Sequence, residues 1–479
     1  MIRRLLPWGR RLSAASIAPI GEFALRLLRT IVLSRLLAPD EFGIAMALVA
    51  VILAAELISD LGLDRYVMVA AREKLARHLA AAHAVGVIRG LAQGIVILAL
   101  SPVLAGVFGA DAYWLAFAAA SIIPVIRGFS HLGIKQLQRD YRFGPEAIVT
   151  IAAQLVALGV TAGVAFWFAN AWAVLPGFVA EALVMAVGTH IAVGTRFRTD
   201  FSREAVRLCL RYAWPFAANG LALALVMQAD RFLVGGFLGA AVLGLYAVIM
   251  SLSVTPVYAA QRVVGGVLLP LTISLRDGPG GIAAAARLVP WLYAGAGYLC
   301  ALGLAFFLDV LTPLLFGEAY QVPHEIHLLA VLVAFFRFAR SGPVCVFLVT
   351  GDTKAIMAGT LIAGCGLVVS LALVMNGAGL SGVMAGLIAG EIISFAVSLG
   401  LLSRHTGISG FTVTLVFLGA CAAAAIVVAG LDLLVPANWG ERFMLAAAFI
   451  AGAGLVVLPV ARKFFRAQTG TQPHDGAAP

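Results

Sequence analysis

The apolar run LALALVMQADRFLVGGFLG, Leu221 to Gly239, carries Asp230 and Arg231 at its middle. A charge at the centre of a membrane-spanning helix costs about 2.5–3.5 kcal/mol on insertion scales, so such groups usually face a cavity or each other. Sequence neighbours on a helix point roughly 100° apart. Asp230 and Arg231 therefore cannot neutralise one another, and at least one needs a partner on another helix or a watery cavity. Comparable runs hold further charges: Glu22, Arg26, Arg29 and Arg35, then Glu56 and Asp60, Arg89, Arg127, Glu181, Arg287, Arg337, Arg340 and Glu391. Glu22 and Arg26 lie four apart on one helical face, and Arg29 follows three later. The planar fork of arginine suits phosphate and carboxylate, so a cavity lined by arginines is matched to an anionic head group such as a lipid pyrophosphate or an acidic sugar. Proton or sodium coupling needs carboxylates instead, for which Glu56, Asp60 and Asp230 are placed. The plainer reading of each charge is an interhelical ion pair that locks the bundle, and for Arg337 and Arg340 snorkelling to the inner interface. At this stage both readings stand.

The elements that must position these groups are membrane helices. Of 479 residues, 62% are hydrophobic and 12% charged, against about half and a quarter in soluble domains. Runs of roughly 20 apolar residues, the length a span requires, recur along the chain. They predict fourteen spans: 12–35, 42–63, 82–101, 113–130, 147–167, 173–194, 212–237, 243–261, 288–307, 326–349, 355–375, 381–402, 411–431 and 443–461. With the N-terminus inside, the inside segments collect clusters such as Arg196, Arg198, Arg203, Arg207 and Arg211, whereas the outside loops hold only Arg442. That asymmetry is the positive-inside signal and puts both termini in the cytoplasm. The net charge of +10 is scattered between apolar runs and forms no stripe for nucleic acid. The N-terminal stretch reads as a first span and not a cleaved leader, because Pro19, Glu22, Arg26 and Arg29 interrupt it.

A weak internal repeat organises the spans. SRLLAPDEFGIAMAL (Ser34–Leu48) and GGFLGAAVLGLYAVI (Gly235–Ile249) both join two spans by a short outside turn, and Gly43 matches Gly244 at an offset of 201. YRFGPEAIV before span five and VTGDTKAIM before span eleven match at an offset near 208. Two six-span lobes in parallel orientation follow, over 1–194 and 195–402, with spans thirteen and fourteen in 403–461 and a polar tail over 462–479. The offset of 201 maps Arg29 onto Asp230 and Thr30 onto Arg231, so these groups are expected at similar depth across a polar cavity between the halves. No catalytic constellation appears. The five cysteines are far apart without CxxC spacing, HEIH (His324–His327) lacks the HExxH spacing of a zinc site, and the outside loops are short.

Three stretches carry a family resemblance: Leu33–Leu63 (LSRLLAPDEFGIAMALVAVILAAELISDLGL), LQRDYRFGPEAIV (Leu137–Val149) and ADRFLVGGFLGAAVLGLYAV (Ala229–Val248). The chain resembles the polysaccharide transporter family, the flippases of lipid-linked oligosaccharides within the multidrug/oligosaccharidyl-lipid/polysaccharide exporter superfamily. The resemblance implies an all-α polytopic membrane protein with about fourteen transmembrane helices and two six-helix lobes around a central cavity. It implies a transporter and not an enzyme, working by alternating access in the bacterial inner membrane. The implied substrate is a polyprenyl-pyrophosphate-linked sugar repeat unit, moved from the cytoplasmic to the periplasmic leaflet for O-antigen, capsule or exopolysaccharide assembly. Cavity arginines are expected to hold it: Arg26, Arg29 and Arg231, with Arg127 and Arg337. Asp60, Asp230 and Glu56 are the coupling candidates for a proton or sodium ion, no other cofactor is expected, and other polysaccharide-assembly membrane proteins are the expected partners. A peptidoglycan-precursor flippase or a drug/cation antiporter would share the fold; a membrane polymerase or ligase would need a larger outside loop.

Overall fold

The computed structural model of the chain describes residues 21–140 and 142–434. Among these residues every regular element is a helix. Helix α1 is described over residues 21–36, and the part of the first predicted span before residue 21 lies outside the described residues. The turn LAPDEF then hands over to α2, Pro39–Ile58. Pro39 takes the first helical position, where its missing N–H costs nothing, and Asp40 and Glu41 complement the positive end of the helix dipole. Gly62, at φ +59°, leads the chain into α3, Leu63–Val69, a conformation glycine adopts without penalty.

Helices α4 (Leu75–Val107), α5 (Trp114–Ala119), α6 (Ile122–Gly128), α7 (Ile134–Arg139), α8 (Gly144–Phe168) and α9 (Val174–Val193) follow. The strap 194–202 leads to α10, Arg203–Leu238, where the hydroxyl of Ser202 accepts from the Ala205 amide, a standard N-cap. Helices α11 (Ala240–Asp277), α12 (Gly281–Phe316), α13 (His324–Thr350), α14 (Thr353–Met375), α15 (Gly379–Thr406) and α16 (Gly410–Leu434) complete the described chain.

Ten of the described helices are long and apolar enough to cross a membrane. The fourth predicted span is two short helices, α5 and α6, broken around Ala120–Ser121. The segment 262–287, expected as an inside loop, is mostly helix, because α11 runs on to Asp277 and α12 begins at Gly281. Pro256, Pro270 and the pair Gly265–Gly266 all lie within α11, yet the helix runs past the apolar boundary to Asp277 and ends only at Gly278. The fourteenth predicted span lies outside the described residues.

The described chain divides into two compact units. The larger comprises the described part of Met1–Ala259 with Val310–Ile326 and Thr360–Gly390; the smaller comprises Ala260–Asp309, His327–Gly359 and the described residues from Glu391 onward. Within the larger unit the repeat motif packs on itself. A Cβ on Gly43 would run into the carbonyl of Ala240, and a Cβ on Gly244 would lie 3.1 Å from the carbonyl of Pro39 and 3.4 Å from the Gly43 Cα. Ala240 is Pro39 displaced by 201 and Gly244 is Gly43 displaced by 201, so the contact is reciprocal. Only a residue without a side chain lets the two hairpins approach this closely.

Candidate functional site

Residues of α1, α2, α9, α10 and α11, all in the larger unit, wall a cavity of about 170 Å³. Arg26 and Arg29 of α1 and Arg231 of α10 line it, with Thr30, Ser251 and Thr255 as neutral polar groups. The rest of the described wall is apolar, and none of it is acidic. Arg29 is 7% exposed and its guanidinium lies 4.3 Å over the ring of Phe178, a cation–π contact that keeps the buried charge in place.

The charged neighbours Asp230 and Arg231 find separate partners. The carboxylate of Asp230 accepts from the Tyr246 hydroxyl on α11 and from the Arg231 backbone N–H at 2.8 Å. The Arg231 guanidinium donates to the Gln228 side-chain carbonyl at 2.6 Å. Among the described residues it has no carboxylate at ion-pair distance. Arg29, Thr30 and Arg231 thus line one cavity, whose described wall is mostly apolar.

Glu181, on α9, is the counter-charge that the sequence reading had left out of the site. Its side chain is 4% exposed and meets three arginines: Arg29 at 3.1 Å, Arg127 of α6 at 3.3 Å and Arg26 at 3.5 Å. Arg26 also pairs with Glu22 at 2.9 Å, and Arg127 with Glu56. A second cavity, about 420 Å³, has walls of both signs, with Arg26, Arg127, Glu22, Asp60 and Glu181 among its lining. Arg26 thus lines both cavities, one free of acids and one rich in them. Beyond α6, the Lys135 ammonium sits 2.7 Å from Glu146 and 3.1 Å from Asp64. Burial opposes its charge, but the two carboxylates win and hold its pKa above the usual lysine value.

The smaller unit holds a related arrangement. Arg337 and Arg340 of α13 each donate to one oxygen of Glu391 on α15, at 2.7 and 2.8 Å. Arg337 and Glu391 are 54 apart, as are Arg127 and Glu181, and each lies 210 residues after its counterpart. The equal spacing was the available signal: an intramembrane arginine followed 54 residues later by a glutamate, twice. Arg337, expected in the cavity with the other arginines, is held by Glu391.

The coupling candidates are also placed. Glu56 is paired with Arg127 near the end of α2. Asp60 lies just past α2, where one carboxylate oxygen accepts the Gly62 N–H at 2.9 Å while the side chain still lines the mixed-charge cavity. Asp230 is engaged by Tyr246.

Residues 32–325 match the family described as polysaccharide biosynthesis protein. The chain belongs to that family. Among solved structures, this member of it is similar to the lipid II flippase MurJ in an inward closed conformation, with a TM-score of 0.69 at 12% identity over 95% of this chain and 99% of that one. It is also similar to a mutant of the Vibrio cholerae MATE transporter VcmN, with a TM-score of 0.56 at 15% identity over 84% and 97%. At these identities the likeness establishes the fold alone, one shared with this flippase and this transporter. With ten described helices long and apolar enough to span, the chain is a multi-pass membrane protein. No curated protein matches the chain.

Proposed function

We propose that this polysaccharide biosynthesis protein is a flippase for polyprenyl-pyrophosphate-linked oligosaccharide repeat units, carrying them from the cytoplasmic to the periplasmic leaflet by alternating access. The observation that carries the reading is the cavity that Arg26, Arg29 and Arg231 line with no acid among its described walls. Such a cavity favours a polyanion, since guanidinium forks bind phosphate oxygens in pairs, and it disfavours the cations that a drug antiporter would take. Its 170 Å³ is small beside the roughly 300–1,000 Å³ of pockets for drug-sized ligands. The cavity therefore takes the phosphate-bearing head, and the sugars lie elsewhere along the path.

The family match favours a polysaccharide precursor over a peptidoglycan precursor. The surface polymer served, whether O-antigen, capsule or exopolysaccharide, follows from the sugar carried. Two lobes over 1–194 and 195–402 would provide the alternation, in a bacterial inner membrane with both termini cytoplasmic. Other polysaccharide-assembly proteins would receive the flipped unit. Coupling to a proton or sodium ion is proposed through Asp60, whose side chain lines the mixed-charge cavity, with Glu56 and Asp230 as further candidates.

A deletion strain compared with its complemented parent tests the function. Repeat units trapped in the cytoplasmic leaflet, with loss of surface polymer, are the expected result. Units that reach the outer leaflet but stay unpolymerised would instead identify a polymerase or ligase, and no change in either would favour an antiporter.

A further inference from the structure

We infer that Glu181 is the resident counter-anion of the arginine cavity: its carboxylate holds Arg26 and Arg29 between cycles, and an entering phosphate group displaces it from them. The inference rests on reading that cavity as an anion site.

Arg26 and Arg29 line the acid-free cavity, yet both reach back to Glu181. Their hold on it is loose. Three guanidinium groups share one carboxylate at 3.1, 3.3 and 3.5 Å, whereas charge-assisted N–H···O bonds normally close to about 2.7–2.9 Å. Among the described residues, Arg26 also keeps a buried Nε–H without a partner, a donor still unspent. Glu391 supplies the internal contrast. Its side chain is equally buried, at 4%, but each of its oxygens has its own arginine at 2.7 or 2.8 Å. Burial therefore does not account for the loose geometry at Glu181.

Exchange of one anion for another suits a buried site. A bare guanidinium out of water is strongly unfavourable, so an arginine site that empties on each cycle needs a substitute charge. Glu181 provides one without leaving α9. A phosphate brings more acceptor oxygens than a carboxylate and can wrest Arg26 and Arg29 from it; as the head group departs, Glu181 takes them back. Affinity is then set by competition, and Glu181 keeps the head group from binding too tightly to leave.

The test measures binding of inorganic pyrophosphate by calorimetry to the full chain in lipid nanodiscs. Glu181→Gln, which removes the competitor, should bind about tenfold more tightly than wild type, within the usual range of coupling between linked groups. Glu181→Asp, which keeps the charge but draws it back by one methylene, should tighten binding by less. Glu391→Gln should leave the affinity unchanged, and Arg231→Ala should weaken it. A purely structural Glu181 predicts the opposite sign for its variants, because the arginines would lose their positioning. If wild type binds, Arg231→Ala loses binding, and both Glu181 variants bind equally or more weakly, the counter-anion role is overturned and the anion site stands. If wild type and both Glu181 variants bind no pyrophosphate, both fall. Should Glu181→Gln fail to accumulate, Glu181→Asp decides by the same sign.

Discussion

Glu181 and Glu391 are two buried glutamates at matching places in two repeats, each following its arginine by 54 residues, yet their surroundings differ. At Glu391 both arginines, Arg337 and Arg340, come from α13, three residues apart on one face, and each takes one oxygen. The acid is fully used. At Glu181 the arginines come from two helices, with Arg26 and Arg29 on α1 and Arg127 on α6, and they share the carboxylate at longer range. Two of the three also line a cavity without acids. The same ancestral-looking spacing thus gives a closed lock in one unit and an open, competing contact in the other. The addition of α1 makes the difference, because its arginines belong to Glu181 and to the cavity at once.

Four expectations sharpen or break this comparison, from the largest effect downward. Glu391→Gln should destabilise the protein most, by about 3–5 kcal/mol as for other broken buried pairs, read as thermal unfolding in detergent; Glu181→Gln should cost less. Equal losses would erase the distinction between lock and competitor. Gly43→Ala should cost about 1–3 kcal/mol through overpacking, because its new Cβ meets the Ala240 carbonyl. Gly244→Ala, whose Cβ has 3.1 Å to the Pro39 carbonyl, should cost less in the same assay. A harmless Gly43→Ala would contradict the reciprocal packing of the repeat. Arg35 donates to the carbonyls of Pro313, Leu314 and Leu315 at the end of α12. Arg35→Ala should shift unfolding by about 1 kcal/mol or less, since these bonds are exposed, and a larger shift would show that this exposed cap carries more than its hydrogen bonds.

Much of this was legible in the sequence for a physical reason. Burying backbone in lipid forces helices, so apolar length alone locates most spans, and the offset of 201 relates Arg29 to Asp230 and Gly43 to Gly244. What escaped is what a linear pattern does not encode. The broken fourth span has the apolar length of one helix but not its continuity, and α11 continues beyond its apolar run through Gly265, Gly266 and Pro270, residues that a linear pattern takes as helix breakers. Arg26, Arg29 and Arg231 were legible as arginines out of water. The partners were not, because Glu181 lies 152 residues from Arg29 and only the packing of α1 against α9 unites them. Arg337 looked like the cavity arginines by type and depth; its commitment to Glu391 is visible only once α13 and α15 are placed.

The most direct test of the central claim uses a strain whose only copy of the protein carries Arg231→Ala, at normal protein level in the membrane. Gln228 is the neutral partner lost with it, so the change should alter folding little while removing a donor from the head-group cavity. The account predicts lipid-linked repeat units accumulating in the cytoplasmic leaflet and a loss of surface polymer. Wild-type export from that strain would contradict it.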